Sequence, residues 1–269
     1  MEDFNLFTSL RYDPLLQSAF HNPSFPHSAY NHSYRSPFYM LDFHRDRILR
    51  AAHHWSWAPA IALLSGPTGL AALSSFILAD IHAAAKDHQP QAVRLIVAPD
   101  GSLSTVLRDV PPAALEDLYP RIPAAPPPSA APSRCWTAFV DSEITPDTPF
   151  THYKTTKRDM YNAARERRAL VIGDDREVLL VNPRGEIMEG STTTPFFWRG
   201  DKWVTPPIPS EYGGGKGSGG QDGTSRRWAL EYGFAVEEIV PADSITDGEV
   251  IWLSNGVRGF FQAKIKRSD

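Results

Sequence analysis

His152-Tyr153-Lys154-Thr155-Thr156-Lys157-Arg158-Asp159-Met160-Tyr161 sets a lysine in a polar, hydroxyl-rich stretch at the start of a helical pattern. Further along, Met188-Glu189-Gly190-Ser191 sets a carboxylate after two apolar residues, at what reads as a strand end. A single lysine is most often a solvated surface charge, with Lys157 an equally charged neighbour. A single strand-end glutamate is most often just exposed. Together, on different structural elements, they supply an amine that can condense with a carbonyl and an anion that can keep a heterocyclic nitrogen protonated.

Around this pair the second half of the chain reads as helix and hairpins. A helix runs from about Lys157 to Ala169, followed by hairpins turning at Pro183-Arg184-Gly185 and Arg199-Gly200-Asp201. The glycine-rich stretch from Gly213 to Gly220 leads to Asp222-Gly223-Thr224, a start signal for a helix from Ser225 to Tyr232 with Gly233 as its stop. Val250 to Leu253 reads as a final buried strand ending at Ser254-Asn255-Gly256. The start of the Ser225 helix offers backbone N–H groups to an anion, and the Ser254-Asn255-Gly256 terminus offers more.

The first half alternates short strands and helices. Leu6 to Tyr12 is a strand. Asp42 is a cap for a helix to about Trp55, with Ile48, Ala51, Ala52 and Trp55 on one stripe and Arg47 beside it. Thr68 is a cap for a second helix carrying Leu70, Leu73, Phe76, Ile77, Ile81 and Ala84 on one face. Val93 to Ala98 and Leu103 to Leu107 flank Asp100-Gly101 as a hairpin. The stretch 119–133 carries six prolines and reads as an extended connector, after which Trp136 to Asp141 resumes as a strand. The pattern predicts an α+β chain in two lobes: a small N-terminal lobe over 1–144 and a larger lobe over 148–269.

Composition narrows the function classes. A net charge of −4 and a pI near 6.1 leave no basic footprint for nucleic acid. The single cysteine, Cys135, excludes an intrachain disulfide and any multi-cysteine metal site, so no metal is expected. No apolar run reaches the roughly 18 residues of a membrane span, and Met1-Glu2-Asp3 is not the opening of a signal or transit peptide. The expected address is the cytoplasm, with no membrane partner.

An amine, a partner for a ring nitrogen and two or three phosphate contacts are what pyridoxal 5'-phosphate requires. The same pieces carry a resemblance. Ser9-Leu10-Arg11-Tyr12, His44-Arg45-Asp46-Arg47, His152-Tyr153-Lys154-Thr155-Thr156, Glu189-Gly190-Ser191-Thr192-Thr193 and Thr205-Pro206-Pro207 occur in that order. Gly223-Thr224-Ser225-Arg226-Arg227-Trp228 and Trp252-Leu253-Ser254-Asn255-Gly256-Val257-Arg258-Gly259-Phe260 follow. In order and spacing the chain resembles the fold-type IV pyridoxal-phosphate enzymes (aminotransferase class IV), over nearly its whole length. Within them it looks most like the fungal 4-amino-4-deoxychorismate lyases.

The resemblance implies a two-lobed, D-amino-acid-aminotransferase-like fold with a small α/β lobe and a larger β-rich one. It implies Lys154 as the Schiff-base lysine, Glu189 as the pyridine-nitrogen partner and Arg47 as a phosphate ligand. Thr224, Ser225 and Asn255 are further phosphate contacts, and Thr192 and Thr193 line the ring. Where the family usually has an asparagine in the Glu189 loop, this chain has Pro195. The implied reaction releases pyruvate and 4-aminobenzoate, a folate precursor. Arg11, Arg158 and Arg258 are the candidates for substrate carboxylates. The alternatives are a class IV aminotransferase acting on an amino acid or amine, and a non-catalytic dimeric relative. A homodimer is expected, because the apolar residues of the small lobe, Phe38 and Tyr39 among them, look too numerous for one small sheet to bury. Residues around Ser28 to Phe38 would then reach the neighbouring subunit's site.

Overall fold

The computed structural model describes residues 3–25, 29–121, 135–213 and 215–267. The proline-rich connector falls, over 122–134, outside the described residues, as does Ser28. The chain divides into two compact units. The first comprises Met1–Tyr119, Tyr153–Lys157 and Gly256–Arg258; the second comprises Pro120–His152, Arg158–Asn255 and Gly259–Asp269.

The first unit is built on an antiparallel sheet, β1 (Leu6–Tyr12), β2 (Gln91–Val97) and β3 (Leu103–Asp109), in that order. Leu6 pairs with Val97 and Tyr12 with Gln91, and Gln91 pairs in turn with Asp109. The Leu41–His54 helix packs on β1. Its predicted stripe holds, with Ile48, Ala51 and Ala52 buried, but its cap differs. Met40 is the cap, in the left-handed region at φ 56°, and Asp42 lies in the first turn, where the helix dipole favours an acid. The Gly66–Ala83 helix is capped by Ser65 rather than Thr68, and Gly69, Leu73, Ile77 and Ile81 form its buried stripe. Ala84 is exposed. The Ala58–Leu64 helix between them is not among the elements expected from the sequence. Phe38 and Tyr39 are fully buried within the chain, so these two aromatics need no second subunit to cover them.

The second unit is an eight-stranded sheet. Its strands are β4 (Trp136–Ile144), β5 (Arg176–Val181), β6 (Ile187–Gly190), β7 (Thr194–Arg199), β8 (Lys202–Thr205), β9 (Val236–Glu237), β10 (Val250–Asn255) and β11 (Gly259–Lys266). Their order is β6-β5-β4-β11-β10-β7-β8-β9. The pleat divides β5 between two apolar clusters. Leu179 and Val181 join Ile251, Leu253, Ala263 and Ile265, whereas Val178 and Leu180 join Tyr161, Ala164 and Met188.

This arrangement corrects the boundary expected from the sequence. β4, assigned there to the N-terminal lobe, runs parallel to both β5 and β11 in the large sheet, so the first unit's main segment ends at Tyr119 instead of 144. The expected Lys157–Ala169 helix is the shorter Asp159–Arg167. Val250 to Leu253 is not the last strand, since β11 follows it. Among the described residues no single helix is long and apolar enough to cross a membrane.

Candidate active site

Lys154 sits in the short segment that returns to the first unit. Leu6 of β1 bridges Thr155, the Phe7 N–H donates to the Lys154 carbonyl at 3.1 Å, and the Thr156 N–H donates to the Asn5 carbonyl at 2.9 Å. The segment is thus an extended addition to β1. Tyr153 beside it is buried against His54 and Trp55. The half-buried Lys154 lies with Nζ 4.9 Å from the Phe7 ring centroid. Lys157 also precedes the helix, which begins only at Asp159.

Two residues of the Leu41–His54 helix complete this part. Arg47 donates to the Thr8 hydroxyl at 2.6 Å, and Thr8 Oγ1 lies 2.6 Å from His44 Nδ1. Burial, then the charges of Arg47 and Lys154, hold the His44 pKa well below its ordinary value, so the ring is neutral near pH 7. These bonds are satisfied with Thr8 donating to Nδ1 and the ring proton on Nε2. The imidazole also explains Gly256: a Cβ there would meet His44 Nε2 at 2.8 Å and the Ser9 carbonyl at 2.9 Å. His44 belongs to the sequence motif, yet sequence reasoning gives it no role. Its tight packing against Gly256 is a tertiary fact with no local signal.

In the second unit Glu189 lies on β6 with 6% of its surface exposed. Tyr161, from the first turn of the Asp159–Arg167 helix, donates its phenol proton to Glu189 Oε1 at 2.5 Å and accepts from Gln221 Nε2 at 2.9 Å. Burial and the Glu189 charge push the Tyr161 pKa well up, which keeps it a donor at neutral pH. Neither Tyr161 nor Gln221 is among the site residues expected from the sequence.

The Thr224–Tyr232 helix starts after Gly223, and its first ladder bond runs from the Arg227 N–H to the Gly223 carbonyl. The Ser225 and Arg226 N–H groups precede that ladder, as an anion site requires. Thr224 and Ser225 are buried, and Ser225 Oγ lies 2.8 Å from Ser254 Oγ on β10. Asn255 ends β10 one residue later, paired with Gly259.

The arginine candidates separate. Arg11 is 2% exposed and spent on Asp13 and on the Pro111 and Val257 carbonyls, as an internal brace. Arg158 donates to the Ser191 carbonyl at 2.6 Å and lies 4.2 Å from the Tyr161 ring centroid, so it organises the Glu189 surroundings. Arg258 is half-buried in the Gly256–Arg258 turn. The Thr192 and Thr193 hydroxyls donate to Glu177, not outward.

A family model described as amino-transferase class IV matches residues 30–265. The chain belongs to the class IV aminotransferases. Aminodeoxychorismate lyase of Saccharomyces cerevisiae is 32% identical over an alignment 147 residues long that covers 49% of this chain and 37% of that protein. The match therefore spans well under half the length of that curated relative. Among solved structures, a Mesorhizobium loti protein named as a candidate amino-acid aminotransferase aligns with a TM-score of 0.68 at 23% identity, covering 98% of this chain and 100% of that one. A hypothetical aminotransferase of Mycobacterium tuberculosis, solved with α-ketoglutarate and PMP bound, gives 0.60 at 14%, covering 98% and 83%. At these identities the structural likeness carries the fold: the class IV, fold-type IV architecture expected from the sequence. Pro195 fits this fold without disturbance. It pairs with Leu253 at the second position of β7, and its carbonyl accepts from Thr205 Oγ1 at 2.9 Å.

Proposed function

We propose that this class IV enzyme is a pyridoxal-phosphate-dependent 4-amino-4-deoxychorismate lyase that releases pyruvate and 4-aminobenzoate. The observation that carries the cofactor is the buried Glu189 carboxylate fixed by a phenol that stays protonated; in the other unit Lys154 lies near a neutral imidazole. The donor set fits the group. Lys154 supplies the amine and Glu189 the anion for the ring nitrogen. Arg47, the Thr224–Ser225 helix start and Asn255 serve the phosphate. Bound there, the cofactor supplies an electron sink for charge developing on the substrate.

Around that sink the protein's own groups do the proton work. Lys154 Nζ takes the proton from the substrate carbon bearing the amino group. Neutral His44, buried beside it, adds no positive charge that would oppose protonation of the amine. Tyr161 and Gln221 hold the Glu189 carboxylate in one orientation. Loss of the enolpyruvyl group as pyruvate leaves an aromatic ring, which makes the step downhill. Arg258 is the remaining arginine of the three for a substrate carboxylate.

The lyase reading is supported by the yeast relative and by the Ser-Asn-Gly-Val-Arg-Gly-Phe ending. Transamination is the second reading, supported by the family and by neighbours named as aminotransferases. Incubation of the holoenzyme with 4-amino-4-deoxychorismate separates them. Equimolar pyruvate and 4-aminobenzoate, with the cofactor left in its aldehyde form, is the expected result; conversion of the cofactor to its amine form by amino donors would select transamination. A protein that binds no cofactor would be a non-catalytic relative.

A cytoplasmic homodimer completes the reading. Within 29–38, Asn31 and Phe38 are buried within the chain while Tyr34 and Arg35 are exposed, so these two side chains would reach a neighbour. Sedimentation as a monomer at full activity would refute the dimer.

A further inference from the structure

Glu177, the second residue of β5, has a fully buried carboxylate, which is costly unless donors surround it. Its Oε1 accepts from the backbone N–H groups of Val178 (2.9 Å) and Ser191 (3.1 Å) and from the Ser191 hydroxyl (2.5 Å). Its Oε2 accepts from the Thr192 N–H (3.1 Å), the Thr192 hydroxyl (2.7 Å) and the Thr193 hydroxyl (3.0 Å). All but the Val178 bond come from Ser191–Thr193, the turn that leaves β6 directly after Glu189-Gly190. Arg165 lies 3.9 Å from Oε1 and donates to Ser191 Oγ at 2.9 Å, so the serine hydroxyl receives from a guanidinium and gives to a carboxylate. The turn is also tied to itself and to β5: Gly190 N–H donates to the Thr193 carbonyl at 2.8 Å, and Ser191 N–H also reaches the Val178 carbonyl at 2.9 Å.

We propose that Glu177 is a positioning residue, whose carboxylate fixes the Ser191–Thr193 turn and, through it, the aim of Glu189 at the ring nitrogen of the cofactor. The inference rests on the reading of Glu189 as that nitrogen's partner. Only an acceptor at both oxygens satisfies the turn. In Glu177→Gln one oxygen becomes an NH2 group, and at either position it faces a backbone N–H, of Val178 and Ser191 or of Thr192. Hydroxyls can rotate away from such a clash; backbone amides cannot. The turn would then shift, and only Gly190 separates Glu189 from its base.

The test is a double-mutant cycle on the purified holoenzyme and its apoprotein, with Glu177→Gln and Glu189→Gln singly and together. Glu177→Gln is expected to lower kcat and weaken pyridoxal-phosphate binding to the apoprotein by about tenfold each, the size of a lost bond to a charged group, with KM changed less than about threefold. In the Glu189→Gln background the same change should have no further effect beyond about twofold, because coupled residues are not additive. Glu177→Asp, which keeps both acceptor oxygens, should recover part of the loss. Equal costs in both backgrounds would overturn the proposal, since Glu177 would then support the fold without acting through Glu189. Near-normal turnover and affinity in Glu189→Gln alone would instead sink the reading of Glu189. If Glu177→Gln does not fold, Thr193→Val, which removes one hydroxyl donor from the carboxylate, takes its place in the cycle: a loss that vanishes in the Glu189→Gln background supports the proposal, and an equal loss in both backgrounds overturns it.

Discussion

Tyr161 shows what a residue gains from its neighbours. Alone it is a first-turn helix tyrosine; folded, it is the donor that settles a buried carboxylate. Tyr161→Phe keeps the ring and removes that donor, so cofactor affinity should fall by about 1–3 kcal/mol, readable by titration of the apoprotein. An unchanged affinity would mean that Glu189 is held by other groups. Lys154, Glu189, Arg47 and Ser225 are candidates from the sequence because their chemistry is carried by residue type and by position relative to an element end. Tyr161, Gln221, His44 and Glu177 are not, because each acquires its role from a partner distant in sequence. Arg11 shows the opposite error: a guanidinium looks available in sequence, and only tertiary structure shows it consumed by Asp13 and two carbonyls.

At the scale of elements, the passage of 220–221 beside β6 carries a sharp steric demand. A Cβ on Gly220 would meet the Met188 carbonyl oxygen at 2.8 Å and Glu189 Cβ at 3.1 Å, both rigid parts of the strand. Gly220→Ala should therefore push this segment off β6, withdraw Gln221 from Tyr161 and weaken cofactor binding, while Gly233→Ala, whose φ of 77° strains only the helix end and whose surroundings are open, should leave binding unchanged. Equal binding by both variants would contradict the packing. Elements with strong periodicity were readable: β1 has the bounds expected for it, and the Leu41–His54 stripe is the predicted one. Caps were misplaced because Met40 is not a capping residue type, and Ser65, which is one, takes its position without a side-chain bond. β11 was missed although Phe261, Ala263 and Ile265 alternate with Gln262, Lys264 and Lys266 along it, a strand pattern the sequence reading passed over.

Across the whole molecule, sheet membership was the least legible property, since nothing local distinguishes β4 of the large sheet from a strand of the small one. The buried imidazole makes a prediction for global stability. His44 in the folded chain has its pKa well below the 6.5 of an unfolded histidine. Below that value the unfolded chain takes up a proton that the folded one refuses. Stability from neutral His44 is therefore complete above about pH 6.5 and declines as pH falls, by at most about 1.4 kcal/mol per pH unit for one site. Denaturant midpoints between about pH 7 and pH 5 should fall more steeply for the natural chain than for His44→Gln; parallel curves would contradict the burial. The central claim remains that the lysine on the extended segment beside β1 carries the cofactor. Borohydride reduction of the holoenzyme, followed by peptide mapping, tests it most directly: the account predicts the pyridoxyl label on Lys154, and a label on Lys157, or none, would contradict it.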